Sequence, residues 1–344
     1  MAKMYSFPEI KKLNDTGHSV TETTRFNGFD SNGNPIYDMI KPLPIVPFTG
    51  TTKIHGTNAG IGYNISTNTL WAQSRSHVLS EESTNSGFYT YVMSHKSYFI
   101  NMLNTISPYP VVVYGEWCGS GIQKGVAVSK LQKRFIVFAI KIIEDVKNPT
   151  WLSRNDIEKF FSPEHFVWNV YCFETWEIQI DFNDMKATQN IIEAITEKVE
   201  KECPAGKYFG VSGIGEGVVW SNPEFGRFKV KGEKHSSVQG STLAPIDTEK
   251  LNSIDEFVKY AATENRFNQG IEYVFTMNSI VPDITQIKKF LAWITVDITK
   301  EESNTLKENN LIPEDVMKAV TTKARDWFTA ESRDWFVKKQ KKIN

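Results

Sequence analysis

Short runs of β-branched and aromatic residues alternate along this chain with stretches of helical periodicity. TLWAQS (69–74), VVVYGEW (111–117), RFIVFAIKII (134–143), GEGVVWS (215–221) and GRFKVKG (226–232) read as strands, several of them bounded by Gly, Ser, Asn or Pro. In NIIEAITEKVEKE (190–202), Ile191, Ile192, Ile195 and Val199 fall on one face of a helix. The pattern changes near Ser236. HSSVQGSTLAPID (235–247) is polar and punctuated by Gly and Pro, as a linker or draped loop would be. Beyond it the periodicity is helical. Ser253 and Glu256 have capping-box spacing. Ile284, Ile287, Leu291, Ile294 and Ile298 recur at helical intervals, and Pro313 stands where a first helical turn would begin. These elements predict a mainly β domain over 1–240 and a helical domain over 241–344, with the boundary near 236–245.

Composition narrows the class. The chain has 344 residues, 40% hydrophobic and 12% aromatic, enough for sizeable cores in about two domains. Lys and Arg total 39 against 40 Asp and Glu. That balance excludes a globally basic nucleic-acid coat and leaves room for a local basic cleft. Cys118, Cys172 and Cys203 are far apart and odd in number, which argues against a disulfide framework and for a reducing compartment. The N-terminus lacks the apolar core of a signal peptide, and no apolar run approaches the roughly 18 residues of a membrane span. A soluble intracellular protein is expected. RDWF occurs at 325–328 and again at 333–336, read either as aromatic anchors packing a helix or as a basic, aromatic surface touching nucleic acid. The KKQKK tail (338–342) reads as a solvated end.

Five short segments carry candidate chemistry, each with an ordinary alternative. Lys53 in TKIHGTN (52–58) is either a nucleophile presented at a turn or a surface lysine before Gly56. Glu116 ends the hydrophobic strand of VVVYGEWCGSGIQ (111–123), where a carboxylate can accept a sugar hydroxyl or simply be an edge residue. Phe138 lies in a strand whose alternation can open it to a stacked base or bury it in the core. Glu216 sits between glycines in GIGEGVVW (213–220), where backbone can approach a ligand closely. In FGRFKVKG (225–232), Phe228 and Val230 share one face while Arg227, Lys229 and Lys231 share the other. That cationic face is a phosphate site or a solvated strand face.

Taken in order, Lys-x-His-Gly, strand-Gly-Glu, Phe in a hydrophobic strand, Glu-Gly and Lys-x-Lys resemble the motif series of the covalent nucleotidyltransferases, the polynucleotide ligases and messenger-RNA capping enzymes. KIHGTN, GEWCGSGIQK and FIVFAIKI resemble the RNA ligase 2 family of phage RNA ligases and kinetoplastid RNA-editing ligases. His55 is informative, since DNA ligases and capping enzymes usually carry Asp there. The resemblance spans roughly residues 45–236.

The resemblance implies an α+β fold: a nucleotidyltransferase (ATP-grasp-like ligase adenylyltransferase) core of antiparallel sheets, with a helical C-terminal domain in place of an OB-fold. It implies an ATP-dependent RNA ligase with Mg2+ or Mn2+, acting as a monomer on 3′-OH/5′-phosphate ends, as at a nick in duplex RNA. The location it implies is cytoplasmic, the host cytoplasm for a phage-encoded member. By the same resemblance Lys53 takes AMP from ATP, with Ile54 beside it in the nucleotide site, and Lys229 and Lys231 depress its pKa and hold phosphates. Glu116 binds the ribose, Phe138 stacks on adenine and Glu216 positions the cation. His55 serves near the phosphates, Asn58 assists phosphate transfer, Arg75 binds phosphate, and Gln123 meets the nucleic acid. Ala139 departs from the usual Asp, Ser74 from a common Lys, and Thr51-Thr52 from the usual Arg-Glu. The segment before Lys53 is longer than the family pattern, although Tyr5 and Ser6 echo the family's N-terminus. The alternatives are a DNA ligase or capping-type nucleotidyltransferase, and a non-catalytic RNA-binding protein on a decayed ligase fold.

Overall fold

A computed structural model describes residues 2–236, 254–276 and 280–340. In chain order come α1 (Leu13–Arg25), β1 (Phe26–Phe29), β2 (Pro35–Tyr37), β3 (Ile45–Thr52), β4 (Thr57–Asn64), β5 (Thr69–Ser74), α2 (Phe88–Ser94), α3 (Lys96–Leu103), β6 (Val111–Cys118) and β7 (Arg134–Ile142). Then follow β8 (Thr150–Trp151), α4 (Arg154–Glu158), β9 (Val167–Asn169), β10 (Thr175–Asp181), α5 (Met185–Lys201), α6 (Pro204–Tyr208), β11 (Gly217–Asn222) and β12 (Gly226–Lys231). The last stretch is helical: α7 (Ile254–Ala261), α8 (Glu264–Ile271), α9 (Ile287–Glu301), α10 (Ser303–Glu308) and α11 (Pro313–Gln340). The chain divides into two units, Met1–Val230 and Lys231–Asn344.

The first unit is built on two sheets, with β1 and β2 forming a separate two-stranded ribbon. One sheet has the order β10-β3-β11-β12, the other β5-β4-β6-β7-β8 with β9 also on β7. The pairings of the second sheet are antiparallel except β7–β9, which is parallel. The runs in β6 and β7 are almost continuously apolar because both faces are covered. Val111, Val113 and Trp117 join Ile61, Phe88 and Phe135 in one cluster, while Val112 and Tyr114 join Trp71 and Ala139 in another.

Strand β7 does not alternate strictly. Tyr114 pairs with Ala139 and Gly115 with Val137, so Phe138 is an extra residue in a β-bulge. Phe135, Val137 and Ile140 pack on one face, while Ile136, Phe138 and Ala139 belong to clusters on the other.

Strands β3 and β4 are absent from the sequence reading, since Pro and Gly interrupt them. Their glycines make room for tryptophans across the ladder. Gly50 pairs with Trp220 and Gly62 with Trp71. A Cβ on Gly50 would lie 2.7 Å from the Trp220 ring, and one on Gly62 would lie 2.0 Å from the Trp71 ring.

Helix α5 packs on β10 and β11. Its buried stripe is Thr188, Gln189, Ile192, Thr196 and Val199. Ile191 belongs to the solvent side at 50% exposure, which corrects the expected apolar face: the stripe continues through threonine methyls rather than through the adjacent isoleucine.

In the second unit Phe257, Phe267, Phe290, Ile294, Ile298, Val320 and Phe328 form the core. Ile284 is exposed in a turn of 3₁₀ helix before α9, so the expected stripe begins at Ile287 instead. Pro313 opens α11 as expected. Trp327 of the first RDWF stacks on Phe290 with centroids 5.9 Å apart, and Phe328 is fully buried, so this copy packs the core. The side chains of the second RDWF, the Ser253 cap, the linker beyond Ser236 and the end of the KKQKK tail lie outside the described residues.

Arg266 is fully buried. Its guanidinium meets Glu302 at 2.7 Å, Asp297 at 3.1 Å and the carbonyl of Ala261 at 2.7 Å. Tyr260 donates its hydroxyl to Glu302, tying α7, α8 and the end of α9 together. Among the described residues no helix is long and apolar enough to cross a membrane.

Candidate active site

Lys53 follows the last residue of β3, a strand paired with both β10 and β11. Its backbone N–H donates to the carbonyl of Gly217 at 2.9 Å. That bond sets the lysine beside Glu216, just before β11. The Lys53 Nζ lies 2.7 Å from Glu216 Oε2, and His55 Nδ1 lies 3.0 Å from the same oxygen. Glu216 is 4% exposed, against 19% for Lys53 and 15% for His55, so the carboxylate is buried beneath two more accessible partners.

The turn between β3 and β4 is gripped at Gly56 from both sides. Its N–H donates to Glu116 Oε1 at 3.2 Å, and its carbonyl accepts from Gln123 Nε2 at 3.2 Å. A Cβ at this position would meet the Trp117 carbonyl oxygen at 2.4 Å and the Glu116 side chain at 3.0 Å, so glycine is required for the close approach. Glu116 and Gln123 thus position the lysine turn, a contact for which their spacing of 60 and 67 residues from Gly56 offers no local signal.

The other residues singled out in the sequence are placed as follows. Ile54 is buried with Cys118 and Ile136 in the cluster that Phe138 joins from its edge. Phe138 is half-buried, as a bulged ring on the rim of two clusters can be. Asn58 pairs with Glu116 across the ladder, and its carbonyl accepts from Asn85. Arg75 is exposed just after β5, while Ser74 caps the same turn by bonding His77. Lys229 and Lys231 are half-buried on the face of β12 opposite Phe228 and Val230, as alternation predicts. Ala139 is buried against Trp71, Val112 and Tyr114.

Burial pushes the Glu116 carboxyl up from 4.5 to about 7, with Glu216 adding to the rise while Lys53, His55 and the Gly56 N–H pull it back. The folded chain therefore holds a proton that the unfolded chain has released. Stability from this group is full below about pH 4.5 and is lost as pH rises through about 7. Glu116→Gln is expected to flatten the stability curve over that window, measured by chemical denaturation at a series of pH values. A variant curve parallel to wild type would show that Glu116 is not the titrating group.

Among the described residues no group of three or more His, Cys, Asp or Glu is disposed to hold a metal ion. Glu216 offers one buried carboxylate, which suits a hard cation that takes its remaining ligands from phosphate oxygens and water.

The model of the RNA ligase family matches residues 46–231, from β3 through β12. The chain belongs to the RNA ligase family. With it comes membership of the nucleotidyltransferase superfamily, and the matched span of this RNA ligase family member takes in Lys53, Glu116, Phe138, Glu216, Lys229 and Lys231. Solved structures similar to it include Naegleria gruberi RNA ligase with pyrophosphate, at 18% identity and a TM-score of 0.43 over 66% of this chain and 56% of that one. A variant of the same ligase with ATP and Mn matches at 17% identity and 0.44, over 67% and 56%. An archaeal ATP-dependent RNA ligase matches at 14% identity and 0.38, over 95% and 64%. The chain thus spans little more than half the length of the Naegleria ligase. No curated protein sequence matches it.

Proposed function

We propose that the chain is an ATP-dependent RNA ligase that joins 3′-OH and 5′-phosphate ends through a lysyl-AMP intermediate, as at a nick in duplex RNA. The observation that carries the reading is the Lys53 amine held 2.7 Å from the buried Glu216 carboxylate, with His55 on the same oxygen. A lysine attacks phosphorus only as the free amine, and Glu216 Oε2 is within reach to take its proton. The Lys53 Nζ then forms a P–N bond to the α-phosphorus of ATP as the bond to the bridging oxygen breaks and pyrophosphate leaves. An oxygen of the RNA 5′-phosphate next attacks the AMP phosphorus, and the P–N bond breaks. The 3′-hydroxyl finally attacks the activated 5′-phosphorus and AMP departs.

Glu116 and Phe138 are the ribose and adenine partners in this reading, and Lys229, Lys231 and Arg75 the phosphate partners. Asn58 and Ile54 complete the nucleotide site, and Gln123 lies on the nucleic-acid side. A divalent cation, Mg2+ or Mn2+, would be held by Glu216 and would neutralise phosphate charge. The helices α7–α11 favour an RNA ligase 2 type over enzymes with a strand-rich C-terminal domain. They would form the domain, separate from 1–240, that reads duplex shape and 2′-hydroxyls.

The test is incubation with α-labelled ATP and a divalent cation, without nucleic acid, followed by denaturing electrophoresis. Label on the protein is expected. Its absence, from folded protein cleared of bound AMP by pyrophosphate, would overturn the reading.

A further inference from the structure

Residues Tyr5–Lys11 run from one sheet of the first unit to the other. At one end the Tyr5 carbonyl accepts from Tyr114 Oη and from Gln73 Nε2, both at 2.7 Å, and the Ser6 carbonyl accepts from Lys141 Nζ at 3.1 Å. At the other end Lys11 pairs with β12: its N–H donates to the Arg227 carbonyl at 3.3 Å, and its carbonyl accepts from the Lys229 N–H at 2.9 Å. Between these anchors lies Phe7. Its ring meets Phe138 edge-on, with centroids 5.0 Å apart at 71°. Tyr114 and Trp151 complete the aromatic surround at 5.2 Å and 5.6 Å, and the Arg227 guanidinium stands 5.3 Å from the Phe7 centroid.

We propose that this segment is a strap across the nucleotide cleft, and that Phe7 is a positioning residue that holds Phe138 ready to stack on a purine base. The proposal rests on the ligase reading, which makes Phe138 the base partner. Phe138 is the extra residue of a bulge and is half-buried, so the ladder and the core fix its ring less firmly than those of its neighbours. An edge-on aromatic contact restricts such a ring to one orientation, and a ring ordered in advance loses less freedom when a base lands on it. The backbone bond that the Lys11 carbonyl accepts from the Lys229 N–H ties β12 to the same strap, so the segment that touches the base partner also touches the strand of a phosphate partner.

The test is equilibrium binding by calorimetry on the full chain, with α,β-methylene-ATP as the probe and ribose 5′-triphosphate as its base-free counterpart. Phe7→Ala is expected to weaken binding of the ATP analogue about five- to tenfold. Ribose 5′-triphosphate affinity should stay unchanged. Phe7→Tyr, which keeps the ring, restores wild-type binding, and Phe7→Leu, which keeps apolar bulk alone, falls between. Equal weakening of both probes would show that Phe7 serves the fold in general, and unchanged binding of both would show that it does not position Phe138; either result overturns the proposal. If wild type binds the analogue but never acquires label from ATP, the ligase reading fails while the strap remains measurable. If wild type binds neither probe, both fail.

Discussion

Lys53→Ala is expected to abolish transfer of label from α-labelled ATP to the protein, a loss of more than about a thousandfold. The size follows from the role. In the proposed reaction the Lys53 nitrogen becomes part of the intermediate, so no other group could replace it and the loss would be of a covalent step rather than of one contact among several. The variant is expected to fold. Glu216 is buried, but His55 remains 3.0 Å from the oxygen that Lys53 vacates, and the backbone bond from residue 53 to Gly217 does not involve the side chain. Near-ultraviolet circular dichroism checks the fold, and gel autoradiography the label. Label persisting in folded Lys53→Ala would move the nucleophile elsewhere.

Glu302→Ala is expected to carry the largest stability effect, about 3–5 kcal/mol, because it takes a fully buried carboxylate away from a fully buried guanidinium. Arg266 would keep Asp297 and the Ala261 carbonyl, and Tyr260 would lose the acceptor for its hydroxyl. The loss should appear as faster amide hydrogen exchange across α7, α8 and α9, a readout that separates this unit from the other. Replacing both fully buried members of the cluster, Arg266→Met with Glu302→Leu, should recover much of the stability, since the carboxylate then left without the guanidinium, Asp297, is 24% exposed and can be hydrated. Failure of the double variant to recover would mean that the pair specifies the helix arrangement rather than merely satisfying its own charges.

The fold and the site were legible to different depths. Strands β5, β6 and β7 were plain from their Val, Ile and aromatic runs. Strands β3 and β4 were hidden because Gly50 and Gly62 look like chain breakers, whereas each faces a tryptophan that fills the space its missing side chain leaves. In α5 the error ran the other way: Ile191 looked like core, while threonines took the buried places. At the site, Lys53, His55 and Glu216 stood out only as parts of the ordered motif series, and Lys53 and His55 do meet Glu216 on one oxygen. The grip of Glu116 and Gln123 on the Gly56 peptide was invisible, because backbone groups carry no sequence signature. Of the strap only the Tyr5-Ser6 echo was readable. Its bonds run from backbone carbonyls, and Phe7 sits in a segment without strand or helix periodicity.

The bulge in β7 acts as a phase shift in the strand's inside–outside rhythm. Ile140 and Ile142 reach the same side of the sheet as Phe135 and Val137 only because one residue is skipped between them. Were the bulge flattened with every residue kept, each later side chain of the strand would turn over, sending Lys141 into an apolar cluster and exposing Ile140 and Ile142 to the strap. One ring is released from the duties of the core without the rest of the strand losing count.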